Sequence, residues 1–180
     1  MPNVLVPVAN GTEEMEAVIT IDILRRAQWN VTVAGVDDGV ITASRGVRLV
    51  PDKAWRELNP GHFDVLMIPG GMPGVERFLR FEPLLDMIRA FDAKGKWIGA
   101  VCAAPLTLQA AGILKGRKAT CHPGVADRMT ATQRHNDRTV VDGRIVTSQG
   151  AGTTFEFALT VIRLVDGPEK AKAIADSIVL

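Results

Sequence analysis

The sequence predicts an α/β protein in which a mainly parallel β-sheet is covered by helices on both faces. Short runs of apolar, β-branched residues alternate along the chain with segments of helical periodicity, which is typical of this fold class. Of the 180 residues, 47% are hydrophobic and 23% are charged, as in ordinary globular proteins. Because the length suits one core and no linker or internal repeat is visible, we expect a single domain spanning residues 1–180.

The predicted elements follow one another along the chain with clear breaks between them. Strands are expected at Val4–Val8, Val31–Val36, Val65–Ile68 and Trp97–Val101, and helices at Glu13–Arg26, Val75–Phe91, Pro105–Leu114, Thr154–Val165 and Glu169–Ile178. Gly167-Pro168 separates the last two helices. Two hairpins, Ile41–Ala43 with Val47–Val50 and Thr139–Val141 with Ile145–Thr147, are expected to be attached to the main sheet.

The charge pattern and the apolar runs argue against two classes of partner. The 21 basic and 20 acidic residues give a net charge of +1 and are scattered, so no nucleic acid is expected as a partner. No apolar run has the length of a membrane helix, and the N-terminus lacks the features of a signal peptide. We therefore expect a cytoplasmic protein with no membrane partner, in which Cys102 and Cys121 are free thiols.

Four loops at the carboxyl ends of the predicted strands are the places where such a sheet binds ligands. They are Ala9–Thr12, Pro69–Gly74, Val101–Pro105 and Ser148–Gly152. Three of them are rich in glycine, and the fourth contains Cys102. The candidate site is therefore expected at this edge of the sheet.

Cys102 lies at a predicted turn from a strand to a helix, between small residues. Such a turn exposes a nucleophile and directs neighbouring N–H groups at the same space, and Pro105 suits an early helical position. We expect the N-terminal end of the helix to lower the pKa of the thiol. On position alone, a buried and inert cysteine is an equally good interpretation.

Three further groups are predicted to lie near this thiol. The amides of Gly71 and Ala103 form a candidate oxyanion hole. Glu16 lies on a mostly apolar helix stripe, where desolvation is expected to raise its pKa and allow proton exchange with the thiol. Glu13 and Glu14 are interpreted only as favourable charges at the helix start.

His122 is the candidate proton carrier for Cys102. Cys121 stands beside it, but the chain has no second Cys-His pair with ligand spacing, so no metal site is predicted. The glycine loops match no phosphate-binding pattern, and no cofactor is expected.

Five segments together resemble the ThiJ/PfpI superfamily, and within it the DJ-one/YajL-like subfamily of the Parkinson-disease deglycase. They are Gly11–Glu16, Pro69–Gly71, Ile98–Pro105, Thr120–Pro123 and Ser148–Ala158. The resemblance implies a flavodoxin-like three-layer α/β sandwich with the topology of class I glutamine amidotransferases, usually as a homodimer. It departs from the human-like members at Ala43, where they have a cysteine, so signalling through that second thiol is not expected here.

The resemblance also implies roles for individual residues. Cys102 would be the nucleophile, Glu16 its protonated partner, and His122 a neighbour of the thiol, while Gly71 and Ala103 would supply backbone donors. Arg45 and Arg26 match arginines that line the pocket near the dimer interface, and with Gly70 they are assigned to substrate or anion binding.

The activity implied by the resemblance is a glutathione-independent conversion of methylglyoxal to lactate, or the repair of early glyoxal adducts on amines and thiols, in protection against carbonyl and oxidative stress. The alternative is a redox sensor or redox-regulated chaperone in which Cys102 is oxidised to a sulfinate. A cysteine peptidase ranks third, because no carboxylate or amide is evident that would orient His122.

Overall fold

The computed structural model describes residues 1–180, with a central sheet between two layers of helices. The strands are β1 (Asn3–Val8), β2 (Asn30–Gly35), β3 (Ile41–Thr42), β4 (Arg48–Leu49), β5 (Lys53–Ala54), β6 (Val65–Ile68), β7 (Trp97–Val101), β8 (Lys118–Ala119), β9 (Gln133–Arg134), β10 (Thr139–Asp142) and β11 (Ile145–Ser148). The helices are α1 (Glu14–Arg26), α2 (Met72–Leu79), α3 (Glu82–Ala93), α4 (Pro105–Ala110), α5 (Thr154–Asp166) and α6 (Pro168–Ser177). Four short 3-10 helices cover residues 55–57, 60–62, 123–128 and 151–153.

The main sheet has seven strands in the order β10-β11-β7-β6-β1-β2-β5. All neighbouring pairs are parallel except β10 with β11. The five central strands, numbered along the chain, have the order 2-1-3-4-5, which is that of flavodoxin-like proteins. The predicted fold class is therefore confirmed, and the strand order reverses direction between β1 and β6.

Two hydrophobic cores lie on opposite faces of the sheet. Leu5 and Leu66 face the core that also contains Phe78 and Ile88 of α2 and α3. Alternate strand residues face the other core, which contains residues of α1, α5 and α6. Because β1 and β6 are buried on both faces, they are continuous apolar runs, the signal by which they were predicted.

Three details of the predicted elements are wrong. The expected helix at 75–91 is two helices, α2 and α3, because Pro83 inside a continuous helix would clash with the preceding turn and instead occupies the start of α3. The helix after Cys102 ends at Ala110 rather than Leu114, and Gly112 follows it with φ of +82°. The hairpin of β3 and β4 is a separate two-stranded sheet, whereas β10 and β11 join the main sheet as expected. None of the helices has both the length and the apolar character needed to cross a membrane.

Candidate active site

Cys102 forms a sharp turn between β7 and α4, at the carboxyl edge of the sheet. Its φ is +62°, a left-handed conformation that is uncommon for residues other than glycine. Two segments hold its backbone: the N–H donates to the carbonyl of Ser148 at 2.9 Å, and the carbonyl accepts from the N–H of His122 at 2.8 Å. Pro105 begins α4, as predicted. The side chain is half-buried, so the thiol can meet a ligand without being fully in solvent.

Glu16 contacts the thiol from α1, the helix that follows β1. Its side chain is hydrogen-bonded to Cys102, and its Oε2 accepts from the N–H of Gly70 at 2.7 Å. Glu13 caps the helix by accepting from the N–H of Glu16, as expected of a carboxylate at a helix start. α1 and the turn after β6 therefore fix this carboxyl group beside the cysteine.

The carboxyl group of Glu16 is only 1% exposed, and this burial changes its acidity. Burial raises its pKa to about 7, although the Gly70 amide and the Cys102 thiol favour the ionised form. The predicted direction of the shift is confirmed. At neutral pH the group exchanges a proton readily, which an ordinary exposed glutamate does not do.

The prediction of a lowered thiol pKa is wrong. Burial, followed by the negative charge of Glu16, raises the pKa of Cys102 to about 12, while the amides of Gly71 and Ala103 act in the opposite direction. α4 has only six residues, so its dipole is small and cannot outweigh burial. Since the adverse charge disappears when Glu16 holds a proton, the titrations of the carboxyl group and the thiol depend on each other.

The two predicted oxyanion donors both reach the sulfur atom of Cys102. The backbone amides of Gly71 and Ala103 both stabilise the thiolate of Cys102, and both residues line the same cavity. Gly71 has φ of +88°, and a Cβ there would collide with the backbone of Gly11 and Glu13. The glycine is therefore required for the turn that brings its amide to the sulfur.

His122 also lines the cavity, at the start of the 3-10 helix 123–128. Its Nδ1 accepts from the N–H of Gly124 at 3.0 Å. In the neutral ring the proton therefore sits on Nε2, which leaves that nitrogen as a donor. The group that orients the ring is a main-chain amide, and no carboxylate of a catalytic triad performs this task.

Cys102, Glu16 and His122 line one cavity of about 540 Å³, together with Gly71, Ala103 and Arg45. The structure thus brings together six of the eight residues assigned to the site from the sequence. Cys121 is fully buried and free, outside the lining. No group of three or more His, Cys, Asp or Glu side chains is arranged to hold a metal ion.

Two of the residues assigned to substrate or anion binding do not line the cavity. Arg26 pairs with Asp22 on the exposed surface of α1, and ten residues of helix, about 15 Å, separate it from Glu16. The N–H of Gly70 is used by Glu16, and a Cβ at this position would lie 2.6 Å from Cβ of Cys102. Gly70 therefore positions the carboxyl group and the cysteine instead of binding a ligand.

Sequence reasoning missed the part that Glu14 takes in building the site. Its side chain is buried and accepts from Oγ of Ser44 and from the N–H of Arg45, each at 2.8 Å. Burial opposes its ionisation, but these hydrogen bonds and others from the backbone outweigh burial and lower the pKa. Glu14 thereby fixes the loop that presents Arg45 to the cavity. The contact spans some thirty residues of chain, so helical periodicity gave no signal of it.

Fold and site together define a flavodoxin-like α/β protein with a cysteine on a strained strand-to-helix turn and a buried carboxyl partner. Residues 2–164 match the model of the DJ-1/PfpI family, to which this chain belongs. Protein DJ-1 homolog B of Arabidopsis thaliana is 41% identical over 98% of this chain. Glutathione-independent glyoxalase DJR-1.2 of Caenorhabditis elegans is 37% identical over 90% of this chain and 87% of its own length.

The solved structures agree with this assignment. The structure named "Toxoplasma gondii DJ-1, oxidized" has a TM-score of 0.95 and 42% sequence identity, with 99% of this chain and 98% of that chain covered. The chain spans less than half the length of its two Arabidopsis relatives, 41% and 46%.

Proposed function

We propose that the chain is a cysteine-dependent, glutathione-independent glyoxalase and deglycase. The observation that supports this most directly is the contact of Cys102 with the buried, protonatable carboxyl group of Glu16 in a cavity of small-molecule size. The name and full-length similarity of the nematode glyoxalase support the same reaction class. In this proposal Cys102 is the nucleophile, Glu16 the acid and base, and His122 a donor to the substrate.

The first step is addition of the thiolate to the aldehyde carbon of methylglyoxal. The ionised carboxylate of Glu16 takes the proton of the thiol as the carbon–sulfur bond forms. Because the pKa of the thiol, about 12, lies above that of Glu16, about 7, this transfer is coupled to the addition and no free thiolate accumulates. As the carbon–sulfur bond forms, the carbonyl electron pair moves to oxygen, where the amides of Gly71 and Ala103 are positioned to donate to it. Transfer of the proton from Glu16 then completes a neutral hemithioacetal.

The second step moves a hydrogen from C1 to C2 of the substrate. The Glu16 carboxylate removes the C1 proton to give an enediolate and returns this proton to C2. The proton of the C1 hydroxyl passes to the C2 oxygen, to which Nε2 of His122 donates a hydrogen bond. C1 is thereby oxidised to a thioester and C2 is reduced to an alcohol. Hydrolysis by one water molecule releases lactate and restores the thiol, so the reaction adds only water and needs no external oxidant.

Adducts of glyoxals on amines and thiols present the same masked aldehyde, and we assign their repair to the same residues. The Arg45 side chain at the cavity provides a positive charge for oxyanions of such substrates. The site as built contains no carboxylate that orients His122, and this argues against peptidase chemistry.

A redox-sensing role is the second candidate, and it is favoured by the contact of the thiol with a protonatable carboxyl group. A sulfinate on Cys102 would meet the Gly71 and Ala103 amides and accept a hydrogen bond from Glu16. The DJ-1 of Toxoplasma gondii, which is similar in sequence and structure, has been solved in an oxidised form, and this supports the second candidate. Chaperone action stays a prediction from the family resemblance.

We also propose a homodimer in the cytoplasm. Met15 and Val18 on α1 and Val47 and Val50 at the β3–β4 hairpin are exposed apolar residues, and a second copy would remove such a surface from water. The cytoplasmic location rests on the two free thiols, which are characteristic of a reducing compartment.

The test of the enzyme function is a steady-state assay with methylglyoxal in which lactate is quantified. We expect wild type to form lactate, Cys102→Ala to form none above the uncatalysed rate, and Glu16→Gln to lose about 100-fold or more through loss of the proton-transfer group. Cys121→Ala is the matched control and should retain activity, since Cys121 is buried outside the cavity. Equal lactate from wild type and Cys102→Ala would eliminate the proposal.

A further inference from the structure

A second cavity adjoins the Cys102 cavity at the same edge of the sheet. It has a volume of about 570 Å³ and lies where β1 and β2 end, against α2. Pro73 lines both cavities, and Gly11 is packed so closely on Pro73 that a Cβ there would collide with the proline ring. The two cavities are therefore neighbours that are separated by a narrow ridge.

The second cavity, here named the Arg80 pocket, combines two apolar side chains with one positive charge that forms no salt bridge. Val36 and Phe81 supply the apolar contacts, and Trp55 packs edge-on against the Phe81 ring at 5.3 Å. Asp37 is largely buried and accepts from Nε of Arg77 at 2.8 Å and from the amide of Asn10, so these charges neutralise one another. Glu76 is paired with Arg128, and among the charged residues of the lining Arg80 alone forms no salt bridge.

The volume of the Cys102 cavity indicates the size of the substrate, and hence which substrates extend to the Arg80 pocket. Cavities of 300–1,000 Å³ enclose ligands of drug size, and methylglyoxal has only three carbon atoms. A glyoxal-derived group attached to a larger molecule fills more of this volume than free methylglyoxal does. The Arg80 pocket adjoins the cavity at Pro73, so it is within the reach of a molecule that extends from the thiol in that direction.

We propose that the Arg80 pocket binds the polypeptide next to a glycated side chain held at Cys102, with a preference for an acidic residue. This inference rests on the proposed function and names its substrate class. An arginine with no salt-bridge partner selects a carboxylate, and the side chains of Val36 and Phe81 offer apolar contacts to the aliphatic part of the chain. Free methylglyoxal is too small to reach Arg80, so the preference concerns protein and peptide substrates only.

Binding of a stable substrate analogue to Cys102→Ala protein tests this without any turnover. The peptides contain S-(2-oxopropyl)cysteine, a thioether that resembles the hemithioacetal adduct, flanked on each side by two alanines and then by Asp, Asn or Lys. Three extended residues place the charged residue about 10 Å along the chain from the modified cysteine. Calorimetric dissociation constants should favour Asp over Asn by about two- to fivefold, the usual effect of a surface ion pair, and Lys should bind more weakly still.

Arg80→Glu should reverse the order, so that the Lys peptide binds more tightly than the Asp peptide. Arg163→Glu is the matched control, because it makes the same change of net charge on an exposed position of α5 and should keep the wild-type order. Equal constants for the three peptides, the same reversal by Arg163→Glu, or equally tight binding of S-(2-oxopropyl)-N-acetylcysteine would each overturn the proposal. Since no lactate is formed, failure of the glyoxalase proposal is recognised separately in the methylglyoxal assay.

Discussion

The N–H of Gly70 donates to Oε2 of Glu16 at 2.7 Å, across a gap of 54 residues in the sequence. This bond joins the loop after β6 to α1 at the point where the strand order reverses. It holds one carboxyl oxygen so that the side chain meets Cys102 in a fixed orientation. The reactivity of the thiol therefore depends on a contact between two connections of the sheet.

Cys102 is expected to react with alkylating reagents well before Cys121. Burial raises the pKa of both thiols, so access to the reagent decides the order: Cys102 lines the cavity and is half-buried, whereas Cys121 is 0% exposed. Brief, substoichiometric iodoacetamide treatment followed by peptide mass spectrometry measures the two sites. Labelling of Cys121 in Cys102→Ala should be no faster than in wild type. Preferential labelling of Cys121 in the wild type would show that the site has been assigned to the wrong thiol.

Glu16 should produce a specific pH dependence of stability. Its pKa rises from 4.5 to about 7 on folding, so folding takes up a proton between these values. The stabilisation is complete below about pH 4.5 and is lost as the pH rises through about 7, by up to about 3 kcal/mol. In urea unfolding, wild type should lose this stability relative to Glu16→Gln, whose amide does not titrate. Parallel curves for the two proteins from pH 4.5 to 8 would contradict the raised pKa.

The sequence predicted the elements whose signal is local. β1, β6 and β7 are continuous apolar runs, and Glu16 was found because it is a carboxylate on an apolar helix stripe. The raised pKa of Cys102 was not predictable, since it depends on how deeply the turn is buried and on a charge from another element. The same holds for the Asp37–Arg77 pair of the Arg80 pocket, which joins residues 40 apart in the sequence.

Arg26 is a residue that the sequence assigned to the site but that does not line the cavity. A match to a family pattern assigned it to the pocket, but the rise of α1 places it about 15 Å from Glu16, on a surface where Asp22 neutralises it. Arg45 does reach the cavity, because Glu14 holds its loop. Whether an arginine lines a site is therefore decided by tertiary contacts that a single sequence does not display.

Peroxide is expected to convert Cys102 to a sulfinate that Glu16 stabilises. A protonated carboxyl group donates a short hydrogen bond to a sulfinate oxygen, so oxidation should stop at this step. In Glu16→Leu the donor is absent while the residue remains a good helix former, and more sulfonate should accumulate. After treatment with graded peroxide and digestion, the sulfinate and sulfonate forms of the Cys102 peptide are quantified by mass spectrometry. Thermal unfolding before oxidation provides the folding control, and identical oxidation profiles would remove Glu16 from this role.

Among the loop glycines of the site whose φ is not positive, Gly70 is the one at which we expect substitution by alanine to disrupt the site most. The added Cβ would lie 2.6 Å from Cβ of Cys102 and 2.7 Å from Oε2 of Glu16, so the strained turn and the carboxyl group must both move. Such overpacking costs about 1–3 kcal/mol of unfolding free energy. Because a displacement of about 1 Å at a reacting group lowers rates by up to about 100-fold, methylglyoxal turnover should fall by about 10- to 100-fold.

Gly152→Ala is the matched control for this substitution. Gly152 lies in another loop at the same edge of the sheet, its φ is not positive, and a Cβ there meets no atom within 4 Å. We expect it to retain both stability in urea and activity, since no neighbour must shift. The crystal structure of Gly70→Ala should show Glu16 displaced from the amide of residue 70. A Gly70→Ala protein with wild-type stability and turnover would mean that the contact between this glycine and Glu16 does not position the carboxyl group.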